Sequence, residues 1–214
     1  MYHLSIFDMD KTITRRATFG SFLRHSLARH NRWRALLLPA VVPVTAAYGL
    51  RMISRGRLKS TNLRLLAGRG DYDTRARSFA QRTVARNVLP QALSQIEADR
   101  AAGARLVMAT ASYDFYAAEI GRVLGFDDII ATMNDGARIV GENCYGAAKL
   151  RMIEAWMAAQ HIDRADAHIR FYSDHVSDAP CLDWADEAFA VNPHRPLRRL
   201  ATAKGWTVLD WAKR

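Results

Sequence analysis

The sequence predicts an α/β protein: a Rossmann-like, doubly wound parallel sheet carrying an inserted helical cap. Three observations lead there. Short apolar runs recur and end in acidic or hydroxyl clusters, helical stretches separate the later runs, and one long segment near the N-terminus abandons the alternation. The 214 residues, half of them hydrophobic, suffice for one full core and a sizeable insertion, and argue against disorder.

The first strand is Tyr2 to Phe7, an apolar run that delivers Asp8-Met9-Asp10 at its C-terminal end. Arg105 to Ala109 ends in Thr110-Ala111-Ser112, Ile169 to Tyr172 in Ser173-Asp174, and Ala188 to Val191 in Asn192-Pro193; Trp206 to Leu209 is the last strand. Tyr113 to Leu124 and Leu150 to Gln160 read as the intervening helices. In open parallel sheets ligands bind beyond the carboxyl ends of the strands, where all these clusters fall, so a single site is expected. Residues 17–87 read as helical throughout, with Asp73 or Thr74 as a helix cap. The expected division is therefore a core of 1–16 and 88–214 with a cap of 17–87. Within the core, Ala131 to Tyr145 holds the turn signal Asn134-Asp135-Gly136 and predicts a small hairpin excursion.

The net charge of +10 is unevenly spread. No Asp or Glu occurs from Ile13 to Gly70, while Arg15, Arg16, Arg24, Arg29, Arg32, Arg34, Arg51, Arg55, Arg57, Lys59, Arg64 and Arg69 do. These twelve exceed the charge of the whole chain, so the basicity belongs to the insertion and points to an anionic partner. Cys144 and Cys181 lack ligand-like spacing and imply neither a disulfide framework nor a metal cluster. The N-terminal residues show no secretory pattern, from which a cytoplasmic location is expected.

Phosphoryl transfer needs a nucleophile, a metal to neutralise phosphate oxygens, donors on those oxygens, and a proton source for the leaving group. Asp8 and Asp10, one residue apart at a strand end, point to the same side. Asp8 is assigned as nucleophile, and Asp10 as general acid and then general base. Asp174 and Asp178 are hard oxygen donors suited to magnesium, Asp178 directly or through water; Asp178 also reads as a helix cap. Thr110 ends a strand and can donate its hydroxyl to a phosphate oxygen, with the amides of Ala111 and Ser112 beside it. Lys149 can stabilise developing phosphate charge. Lys11, Thr12, Arg15 and Arg16, just beyond the acidic pair, complete the expected substrate-binding set; for the two arginines, plain solvation is the alternative.

In this order the four clusters resemble the motifs of the haloacid dehalogenase (HAD) superfamily, in its phosphoserine-phosphatase-like branch. Phe7-Asp8-Met9-Asp10-Lys11-Thr12 looks like the first motif, Thr110 the second, Lys149 the third, and Ser173-Asp174 with Asp178 the fourth. The resemblance implies a Rossmann-like core with a cap between the first and second motifs. It also implies Mg2+ held by Asp8, the Asp10 carbonyl and Asp174. Lys11 departs from the pattern, since these phosphatases more often place glycine there; a long cation at that position reads either as reaching the substrate or as pointing into solvent. Asp10 argues against dehalogenation, whose chemistry lacks that acid.

The cap is expected to choose the substrate. Ala35 to Leu50 contains sixteen residues without a charge, broken by Pro39 and Pro43 and flanked by arginines on both sides. Spanning a bilayer takes about 20 apolar residues, so this stretch reads either as a helical pair dipping into a membrane interface or as a buried cap core. Phe19-Gly20-Ser21-Phe22-Leu23-Arg24, the Leu/Pro/Val run and Ser54-Arg55-Gly56-Arg57 resemble the cap of type C phosphatidylglycerophosphatases. That likeness implies a phospholipid substrate and an anionic membrane partner, peripheral on the inner membrane. The alternative is a soluble small-molecule phosphatase. Nucleic acid is not an expected partner, because the cations flank an apolar run instead of interleaving with stacking aromatics.

Overall fold

The computed structural model describes residues 1–68, 72–135 and 138–212. Six parallel strands form one sheet: β1 (Tyr2–Phe7), β2 (Arg105–Tyr113), β3 (Asp128–Thr132), β4 (Ala167–Ser173), β5 (Glu187–Val191) and β6 (Thr207–Leu209), in the order β3-β2-β1-β4-β5-β6. Between β1 and β2 lie α1 (Thr18–Arg29), a 3-10 segment (Arg32–Ala40), α2 (Val41–Gly49), α3 (Arg55–Asn62), α4 (Tyr72–Asn87) and α5 (Pro90–Ala101). The remaining helices are α6 (Asp114–Leu124), α7 (Ala147–Ala159), α8 (Ala179–Trp184) and α9 (Arg195–Lys204). The α/β class expected from the strand-end clusters is therefore the observed one.

Strand side chains alternate between two buried faces, as period-two geometry requires. Leu4, Ile6, Val107, Ala109, Ile169 and Phe171 pack on one face. Phe7, Leu106, Met108 and Tyr172 pack on the other, and their cluster continues without a break into Phe22 of α1, Phe79 of α4 and Tyr116 of α6. Phe22 stacks on Tyr116 at 5.1 Å and meets Phe79 edge-on at 5.3 Å. α1 and α4 are thus anchored on the sheet's own helical layer, whereas the 3-10 segment and α2 contribute no fully buried residue.

Several expectations change. β3 is a sixth strand that the sequence pattern did not announce, and α5 is an additional helix with Pro90 at its first turn. Asp73 lies inside the first turn of α4, so neither it nor Thr74 caps the helix from outside. The expected hairpin between 131 and 145 reduces to an isolated antiparallel bridge, Asn134 to Ile139, after β3; Gly136 and Ala137 of its turn lie outside the described residues, as do Arg69, Gly70 and Asp71. Ala35 to Leu50 is not a buried cap core. Trp33, Leu36, Val42, Leu50 and Met52 are all exposed by more than half their surface.

Candidate active site

Because the strands are parallel, Asp8 after β1, Thr110 in β2 and Asp174 after β4 emerge at one end of the sheet. β1 and β4 are neighbours at the point where the strand order reverses, the place where open α/β sheets bind ligands. A cavity of ≈ 140 Å³ opens there, bordered by Asp8, Asp10, Lys11, Thr110, Lys149 and Asp174 among others.

Lys149 organises the floor. Gly146, at φ 62°, turns the chain into α7 and sets Lys149 in its first turn, where the side chain is buried. Its Nζ donates to Asp8 Oδ1 at 2.8 Å and to Asp178 Oδ2 at 2.6 Å. Thr12 Oγ1 donates to Asp8 Oδ2 at 3.3 Å, and Ser173 Oγ to Asp178 Oδ2 at 2.8 Å. Asp178 Oδ1 is buried with no hydrogen-bond partner. Asp178 begins α8 but makes no capping bond with its side chain, so its carboxylate is committed to the pocket and not to the helix.

Charge in the pocket is out of balance. Burial drives the Asp8 carboxyl up to about 7 against the pull of Lys149. Burial, reinforced by the Asp8 charge, drives Asp174 up to about 8. Burial also works against the Lys149 ammonium, yet Asp178 and Asp8 hold it well above its ordinary value. Three buried carboxylates thus surround one ammonium, and one acceptor oxygen is left orphaned. Hard oxygen donors short of positive charge fit a divalent cation. Among the described residues no three His, Cys, Asp or Glu side chains form a ready-made metal cluster. An ion here would complete its shell with main-chain, water or substrate oxygens, which is how magnesium is commonly held.

Asp10 has both carboxylate oxygens occupied: Oδ1 accepts from the Thr18 amide at 2.7 Å and Oδ2 from Ser112 Oγ at 3.1 Å. Since Thr18 is the first residue of α1, Asp10 links the start of the inserted helices to the end of β2. Lys11 borders the cavity from a left-handed backbone conformation, φ 66°. Thr110 and Ala111 border it as expected, and Thr110 Oγ1 accepts from the Ser112 amide at 3.1 Å.

Four expected substrate-binding residues stand elsewhere. Thr12 is fully buried and acts on Asp8. Ser112 is buried behind Asp10, where its hydroxyl also meets Thr18 Oγ1 at 3.0 Å. Arg15 and Arg16 turn away into a cleft between α1 and α4. The structure instead adds Arg55 of α3, Tyr145 and His175 to the cavity wall. The Arg55 guanidinium lies 4.4 Å from the Tyr145 ring centroid, and His175 stacks on His194 at 4.4 Å. Lys59, also of α3, sends its buried Nζ to the Ala111 carbonyl at 2.6 Å. Tyr145, shortly before Lys149, and His175, between Asp174 and Asp178, offered a positional signal; Arg55 and Lys59 are two of the twelve cations between Ile13 and Gly70.

Sheet order, strand-end carboxylates and a buried lysine define a doubly wound α/β protein with a carboxylate-centred cavity at the switch point of its sheet. The chain belongs to the haloacid dehalogenase-like hydrolase family, whose profile matches residues 6–183. Among curated relatives, a Streptomyces azureus protein described as an inhibition of morphological differentiation protein is 34% identical over 130 residues. That match covers 58% of this chain and 46% of the relative. A probable phosphatase of Mycobacterium tuberculosis is 28% identical over 222 residues, covering 98% of this chain and 75% of its own. Among solved structures, a Bordetella pertussis protein of unknown function superposes with a TM-score of 0.86 at 26% identity, covering 99% of both chains. A phosphoserine phosphatase solved as a phospho-aspartyl intermediate analogue superposes with a TM-score of 0.62, covering 100% of this chain and 94% of that one; at 17% identity it shows the shared fold alone.

Proposed function

We propose that this chain is a magnesium-dependent phosphomonoesterase that acts through a phosphorylated Asp8, on a lipid monophosphate at an anionic membrane surface. The observation that carries the chemistry is the buried Lys149, which holds Asp8 and Asp178 together at the end of the sheet. In the first half-reaction an Asp8 carboxylate oxygen bonds to phosphorus as the ester P–O bond breaks, and Asp10 gives its proton to the departing alcohol oxygen. In the second, water attacks the aspartyl phosphate, Asp10 takes its proton, and the P–O bond to Asp8 breaks to release phosphate. The Lys149 ammonium and Thr110 hydroxyl stabilise charge on the phosphoryl oxygens. Asp8, the Asp10 carbonyl and Asp174, with Asp178 direct or through water, would hold a magnesium ion, which would supply the remaining charge neutralisation when bound.

Residues 1–16 and 88–214 make the catalytic core in this account, and 17–87 the cap that selects the substrate. The lipid assignment is supported by the apolar surface of the 3-10 segment and α2, where Trp33, Leu36, Val42 and Leu50 face outward beside Arg32, Arg51 and Arg57. An apolar face rimmed by arginine suits the boundary between headgroups and acyl chains. No helix among the described residues is long and apolar enough to cross a membrane. Phosphoserine fits less well: beyond the carboxylates already engaged, the cavity wall offers the cations Lys11 and Arg55, which suit an anion and not an ammonium.

Phosphate release from phosphatidylglycerophosphate and from phosphoserine, in mixed micelles with magnesium, tests this directly. Lipid turnover that disappears in Asp8→Asn is expected. Turnover of soluble esters alone would keep the chemistry and overturn the lipid substrate, and no turnover of any phosphomonoester would overturn both.

A further inference from the structure

Away from the cavity beside Asp8, a cleft of ≈ 640 Å³ runs between α1 and α4. Six arginines border it: Arg15 and Arg16 from the turn before α1, Arg24 and Arg29 from α1, and Arg82 and Arg86 from α4. All six are exposed, no acidic residue borders the cleft, and none of the six pairs with a carboxylate among the described residues. Arg82 and Arg86 are one helical turn apart and share a face of α4. The turn that carries Arg15 and Arg16 is fixed to the end of α4: the Arg15 amide donates to the Asn87 carbonyl at 2.7 Å, and Asn87 Nδ2 donates to the Arg16 carbonyl at 2.9 Å. The walls are therefore built on rigid elements. His25 between them is held below its ordinary pKa by burial and then by the charges of His30, Arg82 and Arg29.

Like charges repel over a screening length of about 8 Å at physiological salt, so a single concavity bordered by six guanidinium groups favours an intervening anion. Arginine matches phosphate by paired N–H donors, and several such groups select for several phosphates. A flat bilayer meets the rim of a cleft and not its walls. Phe79 at the floor is buried and gives nucleotide bases no stacking platform. We propose that the α1–α4 cleft is a second anion site, distinct from the catalytic cavity, that takes a compact, multiply phosphorylated soluble molecule.

The test is calorimetric titration of the full chain with inorganic tripolyphosphate and with orthophosphate, at low salt and without magnesium. The wild type is compared with Arg82→Gln/Arg86→Gln, with Arg82→Lys/Arg86→Lys, and with Arg195→Gln/Arg199→Gln, which removes the same charge from α9. One tripolyphosphate per chain is expected, bound at least tenfold more tightly than orthophosphate. The α4 glutamine pair weakens it at least tenfold, in line with the loss of one or more charge-assisted hydrogen bonds. The lysine pair keeps part of the affinity, and the α9 pair stays within twofold of wild type. Equal weakening by the α4 and α9 glutamine pairs would reduce the effect to net charge and overturn the site, as would the absence of saturable binding. Binding to phosphatidic acid vesicles that needs Arg82 and Arg86, without tripolyphosphate binding, would overturn it in favour of a membrane surface. Thermal melts of every variant separate lost binding from lost folding.

Discussion

Lys11 occupies φ 66°, ψ 0°, a left-handed conformation that costs a residue with a side chain about 1 kcal/mol. That cost fits the glycine more often found here in the phosphatases this segment resembles. Lys11→Gly is expected to gain about 1 kcal/mol in thermal or denaturant melts, while KM for an anionic ester rises and kcat changes little. Unchanged KM with unchanged stability would mean that Lys11 serves neither backbone nor substrate. Lys59 presents the opposite case, a cation drawn inward. Burial, reinforced by Arg55, lowers its ammonium from 10.5 to about 8, and its Nζ lies 4.4 Å from the Tyr113 ring centroid. Between about pH 8 and about pH 10 the unfolded chain holds the proton that the folded chain has released, so stability from this group rises with pH across that window. Lys59→Met removes that rise, which melting temperatures measured at pH 8, 9 and 10 would show; an identical slope in wild type and variant would contradict the burial of the charge. Asp8, Asp10 and Asp174 were legible from sequence because they follow strand ends, and Lys149 because it follows the Gly146 turn into α7. Lys59, Arg55 and Thr18 were not, since their roles arise only when α1 and α3 fold back over β2.

At the scale of the element, the 3-10 segment and α2 break the ordinary rule that an apolar helix buries one face. Partly buried positions recur about every third residue, at Arg34, Leu37, Ala40, Val41, Val44 and Ala47, and the rest of the surface faces outward. Such a face needs an apolar or interfacial partner. Leu36→Asp/Val42→Asp is predicted to abolish sedimentation with anionic vesicles and to shift folding stability by no more than about 0.5 kcal/mol, because both positions are exposed. A large loss of stability would show that the face is packed internally. β3 escaped the sequence pattern because Asp127 and Asp128 read as loop chemistry. In the fold both are used: Asp127 Oδ2 accepts from the Leu106 amide at 2.7 Å, and Asp128 pairs with Arg105 at 2.6 Å. The hydrophobic pattern alone located the central strands, whose two faces are buried, better than this five-residue edge strand with its acidic start.

For the whole molecule, parallel topology is what turns scattered motifs into a site. Asp8 and Thr110 are 102 residues apart in sequence numbering, yet adjacent parallel strands deliver them to one end of the sheet. Order along the chain was therefore enough to anticipate that Asp8, Asp10, Thr110, Lys149 and Asp174 border one cavity. The arginine cleft was not legible in that way, because Arg15 and Arg16 adjoin the acidic motif in sequence but are pulled to the far side of α1 by Asn87. One continuous apolar cluster binds α1 and α4 to α6, while the outward apolar face lies beyond it on the 3-10 segment and α2. The most direct test of the central claim is peptide mass mapping after acid quench of Asp10→Asn incubated with magnesium and an aryl phosphate, whose phenolate departs without needing the proton of Asp10. With the second half-reaction deprived of its base, phosphate is predicted on the peptide that contains Asp8, and none is predicted in Asp8→Asn/Asp10→Asn. Phosphate on a different residue, or an Asp8→Asn protein that still turns over the ester, would contradict the account.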